Sequence, residues 1–307
     1  MGARHEPVLV AETLGYLLGG EGLYLDATLG DGGHAEALLD AEPRARLLGT
    51  DRDPAALAFS RERLARFGGR VTIAQAAFHE LPAAHARIGG ERFTGALLDL
   101  GLSSRQLDDP ARGIAFMHDG PLDLRLDPTR GETAAEKLEH ASEEELTRVL
   151  REYGDIRGAG RLARALLAEA RRGSLPTTRA LTSAVDRALG GRPHPRRYAQ
   201  VFQALRIWVN DESADLEAAL EWLPDAMRPG GVVVTLAYHS GEDRRIKHAV
   251  RPLRDELPRL PVPNASRLPE GPWESLTRRV VVPSPAEIAR NPRARSARLR
   301  AFRRRPS

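Results

Sequence analysis

The apolar positions of this chain fall first into short runs separated by helical stretches. Tyr24 to Leu29 is one run, Leu47 to Thr50 a second, Val71 and Ile73 (reaching towards Phe78) a third, and Gly95 to Leu100 a fourth. Runs this short and this uniformly apolar predict strands buried on both faces. Between them, His34 to Asp40 predicts a helix. Asp53-Pro54 opens another that carries Leu57, Leu64 and Phe67 at helical spacing, and Leu81 to Ile88 gives a third. Aspartate is a good cap, and proline fits the first helical position. Residues 5 to 18, with Pro7, V-L-V, Leu14, Leu17 and Leu18, predict an opening segment and a short helix. The order β-α-β-α-β-α-β is that of a parallel, doubly wound sheet.

The pattern then changes. From Ser103 to about Arg197 no buried strand is predicted. Ser142 to Leu150 opens with S-E-E-E, read as a capping box. Gly160 to Arg172 sets Leu162, Leu166 and Leu167 on one face, and Thr178 to Leu189 repeats this with Leu181, Val185 and Leu189. One long amphipathic helix is expected from Val201 to Met227. Sheet geometry resumes at Gly230 with V-V-V-T-L-A-Y, and Arg278 to Val282 and Arg298 to Phe302 are short candidate strands. The expected organisation is a discontinuous α/β domain from 1–107 and 205–307. A helical insertion at 108–204 serves as the substrate domain, and a basic segment occupies 290–307.

Composition narrows the class. The 307 residues are 41% hydrophobic and 29% charged, ordinary for a soluble protein with room for one large or two modest domains. No apolar stretch has signal-peptide or membrane-spanning length, so a cytoplasmic protein without a membrane partner is expected. The absence of cysteine excludes disulfides and thiolate metal sites, and the histidines show no paired ligand spacing, so no metal is expected. The formal charge is only +4, with Lys137 and Lys247 the only lysines. After Glu287 no acid occurs, whereas arginine recurs at 290, 293, 295, 298, 300 and 303 to 305. A local basic segment in a balanced protein points towards nucleic acid.

Candidate chemistry gathers where the first strand meets its helix. Y-L-D-A-T-L-G-D-G-G-H, Tyr24 to His34, breaks from an apolar run into a loop with glycine at 30, 32 and 33, and the next strand ends on Asp51. Glycine serves where backbone takes positive φ or lies against a ligand. A carboxylate at the second strand's tip suits the two hydroxyls of a ribose. The dinucleotide fingerprint G-x-G-x-x-G fails, because Ala35 fills its third glycine position, and Asp26 and Asp31 would repel a pyrophosphate. S-adenosylmethionine carries a sulfonium and an ammonium and no phosphate, so it tolerates an acidic loop. A class-I methyltransferase is therefore favoured over a nicotinamide oxidoreductase. Strand-end candidates for positioning the donor are Gly32, Gly33, His34, Asp51, Phe78 (which could stack on an adenine) and Asp99.

Further motifs extend this reading. D-L-G-L-S-S-R-Q-L-D-D-P-A-R-G runs from Asp99 to Gly113, G-P-L-D-L-R-L-D from Gly120 to Asp127, and F-Q-A-L-R-I-W-V-N from Phe202 to Asn210. Y-H-S-G-E-D-R follows at Tyr238 to Arg244 and N-P-R-A-R-S-A-R-L-R at Asn291 to Arg300. With the glycine loop and the opening His5-Glu6-Pro7-Val8-Leu9, they resemble, in family order, the bacterial 16S ribosomal RNA cytosine exocyclic-amine methyltransferases. The resemblance implies a class-I, Rossmann-like fold with a helical insert and S-adenosylmethionine as donor. It implies a decoding-centre cytidine of 16S ribosomal RNA, in the setting of the small subunit, as acceptor. Matched residue by residue, it makes Gly32, Gly33, His34, Asp51, Phe78, Asp99 and Gln106 the cofactor contacts. Asp99, Asp123 and His239 become the catalytic candidates, the last two chosen from motif position. Arg125, Arg206, Arg244, Arg293 and Arg295 become the RNA-facing set.

Departures from the family pattern fall mainly on the substrate side. Tyr198-Ala199-Gln200 stands where the family usually has A-T-R, Tyr238 and Gly241 stand for phenylalanine and leucine, D-L-R-L replaces D-M-R-M, and Ile114-Ala115 interrupts R-G-F-S-F. Glutamine at 200 cannot bind phosphate as arginine does. A non-catalytic RNA-binding assembly factor that kept the cofactor fold is the alternative these substitutions support. No D/N-P-P-aromatic turn follows the fourth strand, so the sequence names no general base. Oligomeric state is left open.

Overall fold

The computed structural model describes residues 7–190, 194–250 and 271–306. His5 and Glu6 of the opening motif lie outside the described residues. The chain divides into two compact units, one made of Met1–Gly101 with Ala214–Ser307, the other of Leu102–Ser213.

The first unit is built on a seven-stranded sheet. Its strands are β1 (Gly22–Asp26), β2 (Ala45–Asp51), β3 (Val71–Gln75), β4 (Phe93–Asp99), β5 (Met227–Ala237), β6 (Trp273–Ser275) and β7 (Arg298–Arg304), in the order β3-β2-β1-β4-β5-β7-β6. The first five are parallel, while β7 runs antiparallel to both β5 and β6. This is the class-I, Rossmann-like methyltransferase architecture. Helices α1 (Val10–Leu17), α2 (Gly33–Ala41), α3 (Pro54–Leu64) and α4 (Leu81–Arg87) belong to the first half. Alternate residues of β1 feed opposite faces of the sheet. Tyr24 packs in a cluster with Leu47, Leu97 and Val234, whereas Leu23 and Leu25 pack in one with Leu48, Ala96 and Val233. Each leucine so buried contributes about 1.5–3 kcal/mol, which is why the strands read as continuous apolar runs.

The second unit is helical: α5 (Ser104–Asp108), α6 (Ala134–His140), α7 (Glu143–Glu152), α8 (Ala159–Ala170), α9 (Thr178–Leu189) and α10 (Pro195–Val209). Its own core gathers Leu138, Leu146, Val149, Leu162, Leu166, Leu181, Val201 and Leu205, the apolar stripes of these amphipathic helices. Ser142 accepts from the Glu145 amide at 3.1 Å, but the expected reciprocal bond is not made. The Glu145 carboxylate is instead taken by the Trp208 indole N–H at 2.8 Å.

Several expected elements differ. Phe78 is not part of β3; it starts a 3₁₀ turn, Phe78–Glu80, whose Glu80 carboxylate accepts from the Ala77 amide. The expected single helix from Val201 to Met227 is two, α10 and α11 (Glu212–Ala226), because Asp211 adopts left-handed φ of 49°. The Asn210 amide caps the break, donating to the carbonyls of Arg206 and Leu124 at 2.8 Å each. Arg278 to Val282 forms no strand beyond a bridge from Val281 to Leu299; β6 provides the edge instead. After β5 come α12 (Ser240–Ala249) and, later, α13 (Pro285–Arg290).

The basic C-terminal segment is woven into the sheet as β7. Asp243 of α12, 4% exposed, binds Arg300 at 2.7 Å and Lys247 at 2.7 Å. Arg304 donates to the Pro224 carbonyl. Among the described residues no helix is long and apolar enough to cross a membrane.

Candidate active site

Parallel strands carry their carboxyl ends to one edge, and three of them end on aspartate. Asp26 closes β1, Asp51 closes β2 and Asp99 closes β4. Because β1 lies between β2 and β4, the three carboxylates share the crevice where strand order reverses, the usual ligand position in open α/β sheets. The ladders run past the strand ends and fix this edge. Ala27 N–H donates to the Leu97 carbonyl at 2.9 Å, Leu29 to Thr50 at 2.8 Å, and Ala76 to Asp51 at 3.0 Å. Thr28 ties two strands together: its hydroxyl accepts from the Asp99 amide at 2.7 Å, while its own amide donates to Asp26 at 3.2 Å.

The glycine loop follows β1. Gly30 and Gly32 take left-handed φ of 50° and 78°, a conformation open to glycine at no steric cost. The Gly30 amide donates to Asp51 Oδ2 at 2.8 Å, and the Asp53 amide donates to Oδ1 at 2.9 Å, so the Asp51 carboxylate is held in one orientation. Gly33 opens α2 where a Cβ would stand 2.9 Å from the Pro7 ring.

His34 projects from the first turn of α2 and is 7% exposed. Its Nε2 stands 3.5 Å from Asp99 Oδ2, an electrostatic approach rather than a hydrogen bond, and both ring nitrogens are buried without a hydrogen-bond partner. Such an orphaned group is costly unless something else satisfies it.

Electrostatics at this edge is acidic. Burial pushes the Asp26 carboxyl up to about 7, opposed by His34 and the Thr28 amide and reinforced by the charges of Asp99 and Asp51. Asp51 rises to about 6, also by burial, although the Asp53 and Gly30 amides pull it down. Asp99 goes the other way. Burial pushes it up, but His34, the Tyr238 hydroxyl and the Gly101 amide outweigh burial and hold it below the usual carboxylate range. Tyr238 is raised by its own burial and then by the Asp99 charge. A Cβ on Gly101 would come within 2.8 Å of the Tyr238 ring, so glycine there is a packing requirement.

These features suit a ligand that brings positive charge and ribose hydroxyls. S-adenosylmethionine fits them: a cationic sulfonium and ammonium for the acidic edge, and a hydrogen-bonding partner for His34. A pyrophosphate does not. Among the described residues no group of three or more histidines and carboxylates is placed to hold a metal ion.

The remaining sequence candidates have settled local roles. Phe78 packs partly buried against the cluster that contains Leu48. His239 caps α12: its Nδ1 accepts from the Gly241 and Glu242 amides at 3.2 and 3.4 Å, and Nε2 stands 3.0 Å from Glu242 Oε1. That network assigns the proton to Nε2 and leaves neither nitrogen free to act as a base. In the helical unit, Gln106 and Ser103 form a reciprocal capping box at the start of α5, with bonds of 3.0 and 3.2 Å. Asp123 is locked in a bidentate fork with Arg125, both bonds 2.7 Å. Arg206 corrects the expected RNA-facing set, because it is 9% exposed and forked onto Glu212 at 2.8 and 2.9 Å. Arg244, Arg293 and Arg295 are exposed.

Sequence reasoning missed Thr28, Tyr238 as a partner of Asp99, and Asp215. Thr28 was legible as the one hydroxyl in the loop. Asp215 carries no sequence signal, being one of five acids in its helix, with Glu212, Glu217, Glu221 and Asp225.

Comparison with known proteins identifies the family. The pattern of the MraW methylase family matches residues 2–305. Ribosomal RNA small subunit methyltransferase H of Sorangium cellulosum (strain So ce56) is 45% identical, over 99% of this chain and 91% of the relative. Its namesake in Halorhodospira halophila (strain DSM 244 / SL1) is 45% identical over 96% of this chain and 93% of the relative. That of Salinispora tropica is 46% identical over 92% and 77%. Matched over nearly its whole length, the chain belongs to the MraW methylase family.

Proposed function

We propose that this protein transfers the methyl group of S-adenosylmethionine to the exocyclic amine of a decoding-centre cytidine in 16S ribosomal RNA. It is an S-adenosylmethionine-dependent methyltransferase of small-subunit ribosomal RNA. The cytidine and its amine rest on the motif resemblance. The observation that carries the donor half is the acidic strand edge with an unsatisfied His34 at its centre.

Bound there, S-adenosylmethionine supplies an electrophilic methyl on a positively charged sulfur. In-line transfer breaks that sulfur–carbon bond, forms a nitrogen–carbon bond and releases a proton from the amine. The residues of this chain mainly orient the partners, and positioning of this kind is worth about 7–11 kcal/mol. Asp51, fixed by two amides, would accept from the ribose hydroxyls, and Phe78 would lie against the adenine. Gly32 and Gly33 would let the backbone approach. A cytosine amine is a poor nucleophile because its lone pair is delocalised, so an acceptor at its N–H favours the reactive geometry. Asp99 is suited to that acceptor role, because His34, Tyr238 and Gly101 keep it ionised. Asp123 and His239 serve architecture, each being fully engaged by its neighbours. Exposed Arg244, Arg293 and Arg295 would meet phosphate, and a base of folded RNA would reach the site from a loop or by extrusion from its stack.

The test is incubation of the protein with radiolabelled S-adenosylmethionine and either unmodified small subunits or naked 16S RNA, followed by mapping of the methylated nucleotide. Label at a decoding-centre cytidine is expected. Donor binding without label in either RNA would favour the assembly-factor alternative. Asp99→Asn should lower transfer about 100-fold, the lower end of what a positioned acid–base group contributes; unchanged turnover would remove Asp99 from the mechanism.

A further inference from the structure

Asp215 is a buried carboxylate that none of the sequence motifs contains. It lies in the first turn of α11, is 5% exposed, and shares its helix face with the buried Leu216, Ala219 and Leu220. Four donors converge on it. The amide of Phe78 donates at 3.1 Å, that of His79 at 2.8 Å and the His79 ring Nδ1–H at 2.6 Å, and the Arg52 guanidinium completes the set.

These donors come from two separate loops. Arg52 directly follows Asp51 at the end of β2, and Phe78 and His79 follow β3. The loops are also tied to each other, since Gln75 Nε2 donates to the Arg52 carbonyl at 3.2 Å and the Ala76 amide to that of Asp51. Asp215 therefore closes a ring from a residue 137 positions further along the chain. Burying a carboxylate is unfavourable unless it is paired and hydrogen-bonded, and an apolar side chain would fill this helix face at lower cost. What the charge adds is a fixed geometry for both loops.

We propose that Asp215 is a positioning residue for the cofactor site, setting the orientation of Phe78 and the backbone at Asp51 that receive the adenosine end. This rests on the cofactor reading above. Asp215 touches neither donor nor acceptor; it acts through the loops that do. Its loss should therefore weaken nucleoside binding while leaving the transfer step itself largely intact.

The test is calorimetric titration of the full-length protein with S-adenosylhomocysteine, alongside kcat and KM for S-adenosylmethionine. Asp215→Asn keeps the shape and an acceptor for the His79 amide and ring, but turns an N–H₂ group towards Arg52 and the Phe78 amide. It is expected to bind about 10-fold more weakly, a loss of roughly 1.4 kcal/mol, with KM raised to match and kcat within about 2-fold. In combination with Phe78→Ala the losses should not multiply, because both variants disable one arrangement. Wild-type affinity in Asp215→Asn, or losses that multiply fully in the double variant, would overturn the proposal while leaving the cofactor reading standing. If Asp215→Asn does not fold, His79→Ala carries the test, since that side chain is 65% exposed and both amide bonds survive its removal. About 3-fold weaker binding, again coupled to Phe78, is then expected, and unchanged affinity overturns the proposal. A wild-type protein that takes up no S-adenosylhomocysteine would sink the cofactor reading and this inference with it.

Discussion

Replacing Asp26 by asparagine should stabilise the protein at alkaline pH and leave it nearly unchanged in acid. Asp26 is 3% exposed, and burial raises its carboxyl from 3.8 to about 7. A group raised in the folded state contributes stability that is full below its unfolded pKa and is lost as pH rises through the folded value. With a shift of about three units at roughly 1.36 kcal/mol each, the ionised form costs the fold about 4 kcal/mol by pH 8. Asparagine has the same shape, keeps an acceptor for the Thr28 amide and does not titrate. The assay is urea unfolding of both proteins from pH 4 to pH 8, taking the difference at each pH. Carboxylates not coupled to Asp26, such as Asp243, whose pKa is lowered, shape both curves alike and cancel. The gap should grow from about 0.5 kcal/mol at pH 4 through about 2 at pH 5 to about 4 at pH 8. A gap that does not change with pH would refute the burial argument. The same variant should bind S-adenosylhomocysteine more weakly, since residues that cost stability at a crevice are commonly kept for function.

Other variants follow from the same geometry. His239→Asn keeps an acceptor for the first amides of α12, so methyl transfer should stay within about 10-fold of wild type, whereas a general base would lose 100-fold or more. Asp243→Ala leaves the half-buried Arg300, its side chain 14% exposed, without its carboxylate and should cost about 3 kcal/mol in chemical unfolding, the lower end for a buried pair. Gly113→Ala should cost at least about 3 kcal/mol, read as a lowered Tm. There φ is 62°, and a Cβ would fall 2.0 Å from the Pro121 carbonyl oxygen.

The sheet and its acidic edge were legible because burial on both faces leaves an unbroken apolar run, and the first polar residue after it marks the strand tip. Asp51 and Asp99 announce themselves in that way, and the helix Thr178 to Leu189 does so through its leucine spacing. Phe78 misled because an aromatic residue after a strand looks like one more strand residue. Only Glu80, satisfying the Ala77 amide, turns the chain there. The break at Asn210 was hidden because apolar spacing continues across it, while the carbonyl that receives its capping amide, that of Leu124, lies 86 positions away. Arg206 looked like a solvent-facing cation because its partner Glu212 lies beyond that break. Asp215 was invisible for a related reason: it answers backbone amides, and backbone amides leave no trace in a sequence.

Weaving the C-terminal arginines into the sheet has a consequence for how the protein meets a polyanion. A guanidinium already answered within the fold displaces few counterions when a phosphate approaches, so it adds little to the salt dependence of RNA binding. Arg125, Arg206, Arg300 and Arg304 are in that position, whereas Arg244 and Arg295 remain exposed. Affinity for RNA should fall with added salt as gently as a contact to a few phosphates would predict, despite the arginine-rich sequence. Discrimination then falls to the shape of the folded RNA and to the base it offers, rather than to charge.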